Sequence, residues 1–236
     1  MEFKITAGVN AGIVCNIGGH RIWCDVLHDE NVPGLSSVTP DRMKMLLSDE
    51  AFDAPELVFY THCHPDHYSE KMTKEVLGRY TGCYQALPER KTQAQVLISG
   101  EKQRIKLSDI TIEFVRLTHE GRQYGNVPHY GCMISCRGRN IFIAGDCAIA
   151  LPALAEYLAE KSIDAAVMPF PWITLPKGRS FVEEYIRPEQ LIINHLPLEP
   201  DDVYGYRKAA MDAAYKVNVP EITLFTNMLQ AAVIKE

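Results

Sequence analysis

Apolar residues recur along this chain in short runs broken by turn residues, and in a few stretches at helical spacing. Phe3–Thr6, Gly12–Ile17 and Arg21–Val26 read as strands, with Gly18-Gly19 as the turn of a hairpin. His20 beside that turn reads as solvent-facing, Asp25 as either a strand-end turn residue or a site neighbour, and His28 as a residue without a role. Residues 27–40, with Pro33, Gly34 and Pro40, read as a loop of the kind that borders binding sites and serves as a lid. Asp41 is placed to cap a helix through Ser48 that turns Met43, Leu46 and Leu47 inward. Leu57–Thr61 is a strand-forming run, and Ser69 can cap a helix through about Tyr80 with Met72, Val76, Leu77 and Tyr80 on one face.

The second half follows a similar plan. Cys83–Leu87 and Gln95–Ile98 read as short strands, and the alternating run Ile110–Leu117 as a half-buried one. Cys132–Cys136 and Asn140–Ala144 form a hairpin around Arg137-Gly138-Arg139. Leu151, Leu154 and Leu158 mark a helix ending near Lys161, Asp164–Pro169 a buried strand, and Pro171–Ser180 a loop. Gln190–Asn194 is a strand, Asp201 caps a helix with the stripe Val203, Tyr206, Ala210, Ala213, Ala214 and Val217, and Ile222–Phe225 closes the chain. Strands mixed with helices in both halves predict an α/β protein, and residues 1–236 are expected to form one domain.

Composition narrows the function. A net charge of −6 argues against non-specific nucleic-acid binding. No apolar run is long enough for a membrane span, and Met1-Glu2-Phe3-Lys4 lacks a signal-peptide pattern, so a cytoplasmic protein is expected. The seven cysteines are odd in number and scattered through strands, which fits a reducing compartment.

The densest chemistry lies in His62-Cys63-His64-Pro65-Asp66-His67, between a strand and a helix. On an extended backbone His62 and His64 project to one side, and Asp66 and His67 then face the same point from the turn. Imidazole and carboxylate suit divalent metals, and four ligands this close predict two ions side by side. A solvated polar turn is the bland alternative, and the density of the motif argues against it.

Thr61–His67 resembles the HxHxDH signature of the metallo-β-lactamase superfamily. That resemblance implies a four-layer αββα sandwich and further ligands downstream: a His, an Asp in a Gly-Asp pair, and a last His. His119, Asp146 and His195 each follow a predicted strand in that order. The resemblance then implies His62, His64 and His119 on one ion, Asp66, His67 and His195 on the other, and Asp146 bridging. His129 competes with His119 for the third position, and His119 is favoured because a strand runs straight into it. Cys147 stands where many members have Thr, and Cys63 fills a variable place; either is a spectator, a soft ligand or an oxidation-sensitive site. The branch most resembled is that of ascorbate-phosphate lactonase-like hydrolases and phospholipase D-type N-acyl ethanolamine phospholipid hydrolases. The chain is too short for the nuclease branch with its inserted domain, and His64 stands where the diiron oxygen-reducing members have Glu.

Such a centre predicts a hydrolase with two divalent ions, zinc first and manganese or iron as alternatives. Two metals about 3.5–4 Å apart hold a bridging hydroxide and polarise a substrate oxygen. Asp66 would orient that hydroxide, and His129 or Tyr130 would protonate the leaving group. Arg122, Lys177 and Arg179 sit in loops that follow site strands, which favours a small phosphorylated, phosphodiester or lactone substrate. The alternative from another class is a metal-containing sensor or binding protein of the same fold without turnover.

Overall fold

Alternation of inward and outward apolar side chains along the strands builds two sheets that share one core. The computed structural model describes residues 3–235. The first sheet holds β1 (Phe3–Ala7), β2 (Ile13–Ile17), β3 (His20–Cys24), β4 (Leu57–Phe59), β5 (Tyr84–Leu87) and β6 (Val96–Leu97) in that order, with β14 (Ala231–Val233) outside β1. The second holds β7 (Lys102–Leu107), β8 (Ile110–Arg116), β9 (Tyr130–Cys136), β10 (Arg139–Ile143), β11 (Ala165–Pro169), β12 (Gln190–Asn194) and β13 (Glu221–Leu224) in chain order. Each sheet begins with antiparallel hairpins and continues with parallel strands: β3 to β6 in the first, β10 to β13 in the second.

Period-two alternation decides the layers. In β4, Leu57 and Phe59 face the shared core, where Phe59 meets Phe114 of the second sheet edge to face at 5.2 Å. Val58 and Tyr60 face outward with Trp23, under α1 (Pro40–Leu47) and α2 (Glu70–Leu77). The outer face of the second sheet packs Phe142, Met168 and Leu191 against α3 (Pro152–Leu158), α4 (Pro171–Thr174), α5 (Pro176–Phe181) and α6 (Tyr206–Ala214). The architecture is the expected αββα sandwich. Among the described residues no helix is long and apolar enough to cross a membrane.

Several local readings are corrected. Residues 171–180 are not a loop: Pro171 and Pro176 each open a short helix, a position where a missing N–H costs nothing. A side chain at Gly178 would place its Cβ 2.4 Å from the Trp172 carbonyl oxygen, so that approach requires glycine. Thr39 caps α1 instead of Asp41. At α6 the carboxylate of Asp202, not Asp201, accepts from the backbone N–H groups of Tyr206 and Arg207. Asp201 instead accepts from Ser36 Oγ at 2.6 Å and Arg42 Nη2 at 2.7 Å, tying the 27–40 loop to the segment after β12. The edge strands β7 and β14 escaped the hydrophobic pattern.

His20 is not a solvent-facing turn residue. It opens β3, with Nδ1 3.0 Å from Glu56 of the first sheet's side and Nε2 2.7 Å from Asp109 in the β7–β8 turn. Arg137 Nε also donates to Asp109, at 2.9 Å. Two ring nitrogens facing two carboxylates both donate, so the ring is an imidazolium that clasps one sheet to the other. Burial pulls its pKa down, but Glu56 and Asp109 outweigh burial and raise it above the ordinary value. A raised folded pKa gives stability that is fully present below the unfolded value of about 6.5 and lost as pH rises through the folded one. Thermal unfolding of His20→Asn beside the wild type should therefore show a gap that is widest below about pH 6.5 and narrows toward pH 9. A gap independent of pH would remove the imidazolium from the clasp.

Candidate metal centre

The carboxyl ends of strands from both sheets deliver the site, the usual place for a ligand in an α/β sheet. β4 leads through Tyr60 and Thr61 into His62, and the turn His64–His67 closes with the N–H groups of His67 and Tyr68 donating to the His64 carbonyl. Ser69 then caps α2 through Met72 N. β8 leads to His119, β10 to Asp146 and β12 directly to His195. Gly145 holds a left-handed φ of 55°, and a Cβ there would lie 2.7 Å from His129 Nε2 and 2.8 Å from Thr61 Cβ. The Gly of the Gly-Asp pair is thus a packing requirement.

Two donor groups result. His62, His64 and His119 offer ligand atoms within 4.8 Å of one another, and so do Asp66, His67, Asp146 and His195. Asp146 lies between them: its Oδ2 is 3.3 Å from His67 Nε2, 3.4 Å from His195 Nε2 and 3.9 Å from His119 Nε2. Its Oδ1 is buried without a hydrogen-bond partner.

Hydrogen bonds on the far side of the His62 and His119 rings fix which nitrogen is bare. The Glu120 carbonyl can only accept, so His119 Nδ1 donates to it at 2.7 Å and Nε2 keeps its lone pair. Thr61 Oγ1 donates to Asp25 Oδ2 at 2.7 Å, which leaves it to accept from His62 Nδ1 at 3.0 Å. The bare Nε2 atoms of His62 and His119 then face each other at 3.2 Å with no proton between them. Two lone pairs so placed repel unless a cation sits near both. Nitrogens bound at about 2.0–2.1 Å to one tetrahedral ion stand roughly 3.3–3.4 Å apart. His67 Nδ1 donates to Asp25 Oδ2 at 3.0 Å, and its Nε2 faces His195 Nε2 at 3.1 Å. The residues present therefore fit divalent metal at these donor groups.

Charge gives the same answer. Burial opposes ionisation of Asp146 and Asp66, but His195 and His67 outweigh it and hold both carboxyls below the ordinary range. Burial likewise opposes protonation of His195, yet Asp146 and Asp66 raise it to about 9; Asp146, Asp66 and Asp25 hold His67 well above its ordinary value. Without cations the acidic side of the site is balanced by protons. A metal takes their place and releases them.

Other expected residues fall differently. His129 belongs to neither donor group: it is fully buried, donates through Nδ1 to the Leu117 carbonyl, and burial lowers it to about 3. It is therefore neutral and poorly suited to give a proton. Tyr130 donates to the Gly100 carbonyl at 2.9 Å. Arg179 Nη1 donates to the carbonyls of Ile173 and Thr174, while Lys177 and Arg122 are exposed, and none of the three lines the cavity beside the centre. Their nearness to site strands in sequence did not fix their direction. Asp25 was the residue underweighted: it follows β3 as Asp146 follows β10, and a left-handed φ of 53° turns it into the site. Tyr124, from the 120–128 loop, packs edgewise on His64 and His119 at 4.8 and 5.1 Å.

No family model and no curated protein matches the chain. Solved structures do. Igni18, described as a novel metallo hydrolase from the archaeon Ignicoccus hospitalis, is 15% identical over the whole of both chains, with a TM-score of 0.66. YhfI from Bacillus subtilis, a metallo-β-lactamase fold protein, is 11% identical over 98% of this chain and 99% of its own, at 0.63. CmlA from Streptomyces venezuelae, a diiron β-hydroxylase, is 13% identical over all of this chain and 54% of its own, at 0.68. The fold is that of the metallo-β-lactamases.

Three substitutions probe the donor set. After loading with zinc, His119→Ala should lose metal, whereas His129→Ala should keep it, as elemental analysis of the folded proteins would show; the reverse result would exchange their roles. Asp25→Asn should weaken metal binding by about 10–100-fold by freeing the His67 ring. In the wild type, apparent affinity should weaken as pH falls below about 9, because the proton on His195 must leave. A pH-independent affinity would place the metal elsewhere.

Proposed function

We propose that this chain is a metal-dependent hydrolase whose centre holds two divalent ions, His62, His64 and His119 on one, Asp66, His67 and His195 on the other, and Asp146 between. The observation that carries this reading is the facing of His62 Nε2 and His119 Nε2 at 3.2 Å, with both tautomers fixed from behind by Thr61 and the Glu120 carbonyl. Histidine and carboxylate donors suit zinc first, and iron or manganese also. Bound there, the ions would supply Lewis acidity and acidify water near neutral pH.

The chain's own residues orient and hold. Asp66 accepts a hydrogen bond from the attacking water and keeps it beside the scissile group. Asp25 and Thr61 lock the His67 and His62 rings, so no reorganisation is needed when charge develops. With His129 neutral and Tyr130 engaged elsewhere, neither serves as a strong acid for the leaving group. That favours an ester, lactone or phosphodiester over an amide, whose nitrogen must be protonated to depart. All seven cysteines are unpaired thiols, which supports work in a reducing compartment, the cytoplasm in this reading.

Turnover of a panel of esters, lactones and phosphodiesters should vanish on dialysis against a chelator and return with zinc, at two ions per chain. Activity that survives complete metal removal would sink the proposal. One ion at saturation would leave the hydrolase and remove the second site.

A further inference from the structure

A cavity of about 300 Å³ opens beside the centre. His119, Asp146 and His195 form one part of its wall. Leu35, Ile149, Phe170, Trp172 and Tyr206 form half of the rest. No lysine or arginine lines it. The one further carboxylate in the wall, Glu120, has Oε2 accepting from Ile149 N at 2.8 Å and Oε1 from Gly121 N at 3.2 Å. A larger cavity of about 790 Å³ lies at the amino ends of β11 and β12; in its wall Arg139 pairs with Asp164 and Lys235 with Glu221, and Lys161, Arg187 and Glu189 also line it. It carries no comparable chemistry.

The wall discriminates by charge and by polarity. Beyond the centre itself, a phosphate or carboxylate in the cavity would meet Glu120 and find no lysine or arginine among the described residues of the wall to replace its water. Phosphoryl transfer is usually served by metal ions together with Arg or Lys on the non-bridging oxygens, and no Arg or Lys is among the described residues of the wall. An aliphatic or aromatic group instead exchanges water for Leu35, Ile149, Phe170 and Trp172. At roughly 30 Å³ per small group in liquid packing, the space admits on the order of ten non-hydrogen atoms.

We propose that this cavity is an acyl subsite, and that the centre cleaves carboxylic esters or lactones whose acyl part is uncharged and apolar. This rests on the hydrolase reading above and narrows its substrate. Water adds its oxygen to the acyl carbon, the bond from that carbon to the alkoxy oxygen breaks, and one water proton ends on the departing oxygen. The loop bearing Leu35 is held over the site by Ser36 and Arg42 through Asp201, so the subsite is built from two separated parts of the chain.

The test compares 4-nitrophenyl acetate, hexanoate and hemisuccinate with bis(4-nitrophenyl) phosphate on the zinc-loaded protein. Each methylene buried should raise kcat/KM by about fourfold, so hexanoate should exceed acetate by more than tenfold and hemisuccinate by more. Ile149→Phe and, separately, Leu35→Phe fill the cavity and should erase most of that chain-length preference. Equal rates for acetate and hexanoate, or a preference for hemisuccinate or the phosphodiester, would overturn the proposal and leave the hydrolase intact. A binding measurement separates the two failures. Titration with neutral cyclohexanol should change tryptophan emission saturably in the wild type, since Trp172 lines the cavity, and not in Ile149→Phe. If none of the four substrates turns over, the hydrolase reading fails; saturable binding then still upholds an apolar subsite, and its absence overturns it.

Discussion

One buried carboxylate organises the centre. Asp25 accepts from Thr61 N at 2.8 Å, from Thr61 Oγ1 at 2.7 Å and from His67 Nδ1 at 3.0 Å. A carboxylate without such donors would be costly at this depth. With them it joins the end of β3 to the end of β4 and sets the tautomers of two rings at once. His67 is oriented directly and His62 through the Thr61 hydroxyl. Neither ring contact would survive a shift of β3 against β4, so the register of the first sheet is also the geometry of the site.

The remaining charges form a balance that protons or metals can satisfy. Asp66 and Asp146 face His67 and His195 on the acidic side, while His62, His64 and His119 form an all-imidazole group. Burial first, then His67, lowers His62; burial first, then His119, lowers His64. The two halves of the centre thus differ in how they compete with protons, although Asp146 touches both.

How much of this was legible depends on the density of the signal. Four candidate ligands within His62–His67 are hard to read as surface, and strand ends at His119, Asp146 and His195 completed the set. Asp25 carries no local motif, because an Asp after a strand is also an ordinary turn. β7, Lys102–Leu107, is mostly charged on its exposed side and buries too little to show in the hydrophobic pattern. The helices at 171–181 span too few residues for a period to emerge. The order of the elements and the αββα class were recoverable because alternation in the central strands is clean. Directions of individual surface cations were not, since sequence neighbours of a site strand can point anywhere.

The pairing of β14 with β1 has a kinetic meaning. Lys4 meets Val233, so the first sheet's outer edge stays open until the last strand docks. Closing so long a loop costs only logarithmically more entropy than closing a short one, but contacts this remote slow the search. Every donor of the centre, from Asp25 to His195, precedes that strand in the order of synthesis. A nascent chain can therefore assemble its ion-binding heart before its border is sealed, and the late step guards an exposed edge that would otherwise recruit a neighbour.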